Sequence, residues 1–284
     1  KLHNYGFETV PQPGLNGRRG YVPRGKMLAG SSGINAMVYL RGQREDYDGW
    51  AAQGATGWAW DDVLPYFIRS EANERLGAPL HGQDGPLHVS DLRSDNPFQQ
   101  RWLDAARQCG HAINTDFNGE TQEGLGLYQT TQHLGERWSA ARAYLRPHMG
   151  VRANLQVRCE VQVQRVLFEG RRAVGVEVRE GGLLRRLRAR REVVLAAGAI
   201  QSPQLLMLSG MGPAAHLQAL GLRVTHHLPG VGANLQDHPD FVFGFESDDL
   251  NTLGISLAGS AQFARDVARY RRERRGLLAG NIAE

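Results

Sequence analysis

The sequence predicts a mixed α/β fold, part doubly wound α/β unit and part antiparallel β-meander, and three stretches carry that prediction. Glu192-Val-Val-Leu-Ala-Ala-Gly198 reads as a short buried strand ending in small residues, after which Ser202-Pro203 opens a helix over Gln204-Leu-Leu-Met-Leu208, closed by Ser209-Gly210. Ser at the N-cap, Pro at the first helical position and Gly just past the end form the expected asymmetry of helix signals. Strand, turn and capped helix therefore follow one another, as in half of a doubly wound unit. Arg24 to Gly42 supplies the second stretch: Ala29-Gly-Ser-Ser-Gly33 strips the backbone of side chains ahead of an apolar, helix-compatible run, with Ser31 or Ser32 placed to cap it. A bare helix start presents N–H groups and a positive dipole end to an anion, although a tight turn asks for the same small residues. The third is a change of apolar period to two from Leu155 onward, which marks strands.

Taken in order, residues 57–71 carry apolar side chains at helical spacing with Asp61 as the expected cap, and residues 97–109 form an amphipathic helix stopping at Gly110. Val157, Val161 and Val163, then Val174, Val176 and Val178, mark strands on either side of a turn at Glu169-Gly170. Leu184, Leu187 and the Val193 strand complete the meander, with Val163 read as a core valine. Residues 228–238 are a glycine-containing loop, 240–246 alternate as another strand, and 256–275 read as a long helix.

Composition excludes several function classes. With 41% apolar residues in 284, the chain can bury a proper core in one large or two small domains. Its net charge of +4 concentrates in Arg185, Arg186, Arg188, Arg190 and Arg191 and again in Arg271, Arg272, Arg274 and Arg275. Carboxylates lie beside both runs and no aromatic residues interleave them, so a solvated surface is expected rather than nucleic acid. Cys109 and Cys159 have neither metal-ligand spacing nor the look of a disulfide framework. No apolar run approaches the ~20 residues of a membrane span and nothing reads as a leader, so a cytoplasmic location is expected. A search for Gly-x-Gly-x-x-Gly finds only Gly124-Leu-Gly126 and Gly230-Val-Gly232, neither set between a strand and a helix.

The motifs nevertheless resemble a known family, the glucose-methanol-choline (GMC) flavoprotein oxidoreductases. Gly25-Lys-Met-Leu-Ala-Gly-Ser-Ser-Gly-Ile-Asn35 through Tyr39, Arg41-Gly42 and Asp46 resembles one family signature, and Gly198-Ala-Ile-Gln-Ser-Pro-Gln-Leu-Leu-Met-Leu-Ser-Gly-Met-Gly212 the other. His81-Gly-Gln-Asp-Gly-Pro86, Arg142-Ala-Tyr-Leu145, Arg172-Ala-Val-Gly-Val-Glu177 and Pro229-Gly-Val-Gly-Ala-Asn-Leu-Gln-Asp-His238 extend the likeness, which is nearest to the choline dehydrogenase-like branch.

That resemblance implies an incomplete Rossmann-like FAD-binding domain over residues 1–94 and 137–246, with part of a discontinuous substrate-binding domain over 95–136 and 247–284. It implies non-covalent FAD, because some members carry a flavin-linking histidine where this chain has Ile34. Cofactor contacts carry over to Met27, Gly30, Ser31, Asn35, Ala36, Met37, Val38, Val163, Ala197 and Gly198. The implied chemistry is oxidation of a primary alcohol, a histidine taking the hydroxyl proton while hydride passes to flavin N5. In the family that histidine lies in a C-terminal region, and the fingerprint in an N-terminal one, so the chain reads as an internal segment, inactive alone and binding FAD far more weakly than its parent. No catalytic residue and no metal ligand is assigned; a small alcohol is the expected partner, and a homodimer is allowed. Asp237-His238 and the Trp50, Trp58, Trp60 group are read as structural. Two other functions stay open, a ligand-binding or inert remnant of the scaffold and a non-oxidising flavin lyase.

Overall fold

A computed structural model describes residues 2–238, 249 and 257–280. It divides into two compact units, Lys1–Leu155 with Glu246–Glu284, and Gln156–Phe245.

The first unit opens with a short antiparallel ribbon, β1 (Phe7–Glu8) on β2 (Tyr21–Val22). The stretch after it corrects the sequence expectation. Gly30–Gly33 makes one 3₁₀ turn and no α-helix follows. Met37 takes φ +65°, a left-handed conformation that ends right-handed helix, and the Asn35 side chain accepts from the Met37 N–H, drawing the backbone into a local turn. Ser31 and Ser32 do not cap: Ser31 Oγ accepts from Gly25 N–H and Ser32 Oγ donates to the Ala29 carbonyl.

Helix α1 (Arg44–Ala52), unread in the sequence, starts with the Asp46 carboxylate accepting from the Gln43 N–H. Helix α2 (Trp60–Ser70) is the one expected at 57–71, but its cap is Asp62, which accepts from the Ala59 N–H; Asp61 instead pairs with Arg44. Tyr47 packs against Trp50, Trp60 and Phe67, with Tyr47 and Trp60 buried, so Trp60 serves the core as expected. Directly after α2 the chain enters β3 (Glu71–Asn73), which pairs in parallel with β4 (Leu87–Val89). Helix α3 (Pro97–Gln108) follows its signals closely: Asn96 Oδ1 accepts from Phe98 N–H, Pro97 sits at the first position, and Gly110 (φ +81°) lies just past the end. A tight hairpin of β5 (Gln132–His133) and β6 (Glu136–Arg137) then turns at Leu134 and Gly135, both at positive φ.

The second unit is built on the predicted meander, β7 (Val161–Glu169), β8 (Arg172–Glu180) and β9 (Leu183–Arg188), all antiparallel. Val166 and Val178 enter its core, whereas Val163 is 38% exposed. A register shift between Val163 and Arg165 changes which residues face inward, which corrects the reading of Val163 as a core valine. The Val193 strand does not complete the sheet: among the described residues 192–196 pair with no strand, and Val194 is 75% exposed. An apolar run states a need for burial without naming the partner that meets it.

Helix α4 (Gly198–Leu208) begins four residues before the expected cap. Ala197 is the N-cap residue, Ser202 Oγ accepts from the Ala197 N–H, and Pro203 lies inside the helix. Ser209 Oγ donates to the Leu205 carbonyl and accepts from Val166 N–H, fastening α4 to β7. After Gly210, β10 (Met211–Gly212) pairs in parallel with β11 (His226–His227) around α5 (Ala214–Ala219), whose Leu217 is fully buried. The strand expected at 240–246 lies outside the described residues.

Helix α6 (Leu257–Glu273) bears out the long helix over its described part and belongs to the first unit. Arg269 and Arg275 pair with Asp95, and Arg274 with Glu136. The other arginine run spends its charge on Glu180, Glu177 and Glu169, through Arg185, Arg186 and Arg188. These ion pairs lie at exposed or half-exposed positions, and each contributes little to stability. Among the described residues no helix is long and apolar enough to cross a membrane, and Cys109 and Cys159 are free and exposed.

Candidate functional site

Seven of the sequence-predicted contact residues, Met27, Gly30, Ser31, Asn35, Ala36, Met37 and Val38, fall on one loop of the first unit. Gly30 takes φ +53° and its missing side chain would point into open space, so the backbone there is bare. Met27, Leu28 and Ile34 are exposed along the same loop. A side-chain-poor turn rimmed by uncovered apolar groups fits a large flat cofactor that offers ring surface and hydrogen-bond acceptors. Met37 differs from its neighbours: its side chain is buried and its carbonyl accepts from the Thr131 N–H.

What holds the loop was missed in the sequence. Arg137 Nη1 donates to the Ser32 carbonyl at 3.1 Å and to Asn35 Oδ1 at 2.7 Å, and the Ala140 N–H donates to Ser32 Oγ. Val38 bridges to Thr130, and Tyr39 N–H donates to the Gln129 carbonyl. A single arginine in a polar stretch carries no local signal of a partner about a hundred residues away.

Behind the loop, Arg41 leads into a buried polar cluster. Its guanidinium pairs with Glu71 Oε2 and donates to the Leu80 carbonyl, both side chains being almost inaccessible. Glu71 Oε1 accepts from Asn73 Nδ2 at 2.8 Å and meets His81 Nδ1 at 3.0 Å; His81 Nε2 lies 3.1 Å from Asp116 Oδ2. Burial by itself would lift the Glu71 pKa, but hydrogen bonds from His81 and Asn73 and the charge of Arg41 bring it below the ordinary carboxylate value. Burial would likewise depress His81, yet its contacts with Glu71 and Asp116 raise it above the ordinary imidazole value. Beside the cluster, the 114–122 loop is joined to the extended segment after Val38, since Asn118 Oδ1 accepts from Arg41 N–H and Asn118 Nδ2 donates to the Tyr39 carbonyl.

The remaining predicted contacts belong to the second unit. Val163 lies on β7, half-exposed, and Ala197-Gly198 form the start of α4, an eleven-residue helix packed against β7. The Trp50–Trp58 pair is half-exposed with rings 6.1 Å apart, while Asp237 and His238 are both exposed and meet only through a backbone hydrogen bond to Asp237.

The chain as a whole is similar to known proteins. Residues 8–240 match the family model for GMC oxidoreductases, and the chain belongs to that family. It is 48% identical over 256 residues to an oxygen-dependent choline dehydrogenase of Sinorhizobium medicae, which covers 90% of this chain and 45% of that protein. It is 51% identical over 237 residues to the mitochondrial choline dehydrogenase of Mus musculus, covering 83% of this chain and 39% of the relative. The chain thus spans less than half the length of these curated relatives. Among solved structures, an FAD-dependent oxidoreductase of Chaetomium thermophilum matches 98% of this chain and 51% of its own with a TM-score of 0.87 at 30% identity. The mixed α/β architecture with its meander is therefore that of GMC oxidoreductases.

Proposed function

We propose that this chain forms part of the FAD site of an oxidoreductase acting on the CH–OH group of a primary alcohol, with choline or a close analogue as substrate. The observation that carries the reading is the identity of about half with two choline dehydrogenases across most of the chain. In this reading Met27, Gly30, Ser31, Asn35, Ala36, Met37 and Val38 meet the cofactor from the first unit. Val163 offers backbone to the adenine, and Ala197-Gly198 present the start of α4 to the diphosphate. Bound FAD supplies the capacity to accept hydride. The chain's own residues bind and orient: the bare Gly30 turn admits close approach, and exposed Met27, Leu28 and Ile34 exclude water once covered. Proton removal from the alcohol is assigned to no residue of this chain.

The same reading places an FAD domain at 1–94 and 137–246 and a substrate domain at 95–136 and 247–284. The ion pairs from α6 and the residues after it to Asp95 and Glu136 support the second grouping. The cytoplasmic location expected from the sequence is kept as part of this proposal.

The test is purification of the whole protein that carries this chain. FAD should be released completely into solution by acid, because Ile34 offers no atom for a flavin bond, and choline should reduce the bound cofactor under anaerobic conditions. Flavin retained in the precipitated protein would refute non-covalent binding; a flavin that no alcohol reduces would refute the oxidoreductase reading.

A further inference from the structure

Asn35 has its amide oxygen occupied twice. Oδ1 accepts from Met37 N–H at 3.2 Å and from Arg137 Nη1 at 2.7 Å. A primary amide whose oxygen is saturated by two donors has a fixed sense, its nitrogen turned the other way. Among the described residues Asn35 Nδ2 has no protein partner, and the side chain is exposed. The loop therefore offers a directed N–H₂ donor beside the bare Gly30 turn.

Arg137 is held rigidly enough to set that direction. It ends the β5–β6 hairpin, whose tight turn fixes the pairing of Gln132 with Arg137. Gln132 is buried and donates to the Ala279 carbonyl, and Trp138 N–H returns to the Thr131 carbonyl. The guanidinium is half-buried and, among the described residues, has no carboxylate partner. Its strongest contacts are the Ser32 carbonyl and the Asn35 amide, so its charge is directed at the loop rather than neutralised beside it.

We infer that Arg137 is a positioning residue for the flavin: it fixes the Asn35 amide with its nitrogen outward, as a donor to an acceptor atom on the cofactor ring. The inference rests on the FAD reading of the Gly30–Val38 loop. It explains why the only side-chain amide in the loop is clamped from behind while its neighbours Ile34 and Ala36 are not shaped for polar contact.

A double-mutant cycle on the whole flavoprotein tests it, with Arg137→Met, Asn35→Ala and the double variant. The readouts are the Kd of the apoprotein for FAD by flavin fluorescence, the absorption spectrum of bound flavin, and the melting temperature of the apoprotein. Arg137→Met and Asn35→Ala should each weaken FAD by about tenfold or more, the loss of one hydrogen bond of this kind. The double variant should bind no more weakly than Asn35→Ala alone, and the two single variants should shift the flavin spectrum alike. Arg137→Gln, which keeps one N–H donor in reach, should lie between wild type and Arg137→Met; it replaces Arg137→Met in the cycle if that variant does not fold. A double variant that loses the product of the two factors overturns the coupling between Arg137 and Asn35. Arg137→Met that lowers apoprotein melting while leaving the FAD Kd unchanged shows a purely structural arginine and also overturns it. Asn35→Ala with wild-type FAD affinity and spectrum removes the loop from the flavin site, and the FAD reading falls with the inference.

Discussion

Glu71→Gln should be among the most damaging isosteric changes in the first unit. The wild-type carboxylate is fully buried and takes four donors: Arg41 Nη2 and Gly82 N–H on Oε2, Asn73 Nδ2 and His81 Nδ1 on Oε1. A glutamine has one acceptor and one donor in that space. Whichever way its amide turns, two of the four donors face an N–H₂ group, and Arg41 loses the charge that balances it. Breaking a buried pair by removing one partner costs about 3–5 kcal/mol, because the other charge stays buried. At roughly 2–4 °C per kcal/mol for domains of this size, thermal unfolding of the first unit should shift down by roughly 6–20 °C. Differential scanning calorimetry with a parallel urea titration would measure it. A loss below about 0.5 kcal/mol, the range of an ordinary surface substitution, would refute the claim that Glu71 neutralises Arg41 in the core.

His81 gives a pH signature with a fixed sign. Its folded pKa is raised, so the stability it contributes is present in full below the unfolded imidazole value of about 6.5 and is lost as pH rises through the folded value. Glu71 and Asp116 face the ring and Arg41 lies beyond Glu71; Glu71, with a lowered pKa, stays ionised through this range. The gap in urea midpoint between wild type and His81→Gln should therefore narrow from pH 6 to pH 9, and a gap that widens with pH would contradict the assignment. Two glycines in the loop should differ in kind. A Cβ on Gly25 would sit 2.1 Å from the Gly30 carbonyl oxygen, backbone that can move only with the turn, whereas one on Gly30 meets nothing within 4 Å and pays only for φ +53°. That conformation costs about 1–2 kcal/mol for a non-glycine residue, so Gly25→Ala should lower the melting temperature of the apoprotein more than Gly30→Ala. The reverse order in melting of the two apoproteins would show that the turn is not closed by this contact.

Much of the fold was legible because its signals are local. Asn96, Pro97 and Gly110 bracket α3 by chemistry that acts within a turn of the chain, and the period-two valines of β7 and β8 need only their own spacing. The small residues of the Gly30 loop were equally visible, and they marked the candidate site. Errors came where a local preference met a more distant constraint. Ser202-Pro203 looked like a helix start, but Gly198 to Gln201 already belong to α4; Val163 matched the strand period, but a bulge put Val166 in the core. Residues 192–196 show that apolarity specifies burial and leaves pairing open.

The sequence by itself determined the family, through two long motifs, and the positions where the backbone had to be bare. Only the tertiary structure decided what holds those positions. Arg137 reaches Asn35 across 102 residues, Arg41 N–H reaches Asn118 across 77, and Glu71 gathers Arg41 from 30 residues before it and His81 from 10 after it. Such contacts leave no periodicity in the chain, because a charged side chain can be satisfied by any partner that folding brings within about 3 Å. Their identity is fixed by the packing that excludes water from the cluster, and that packing exists only once the distant segments have met.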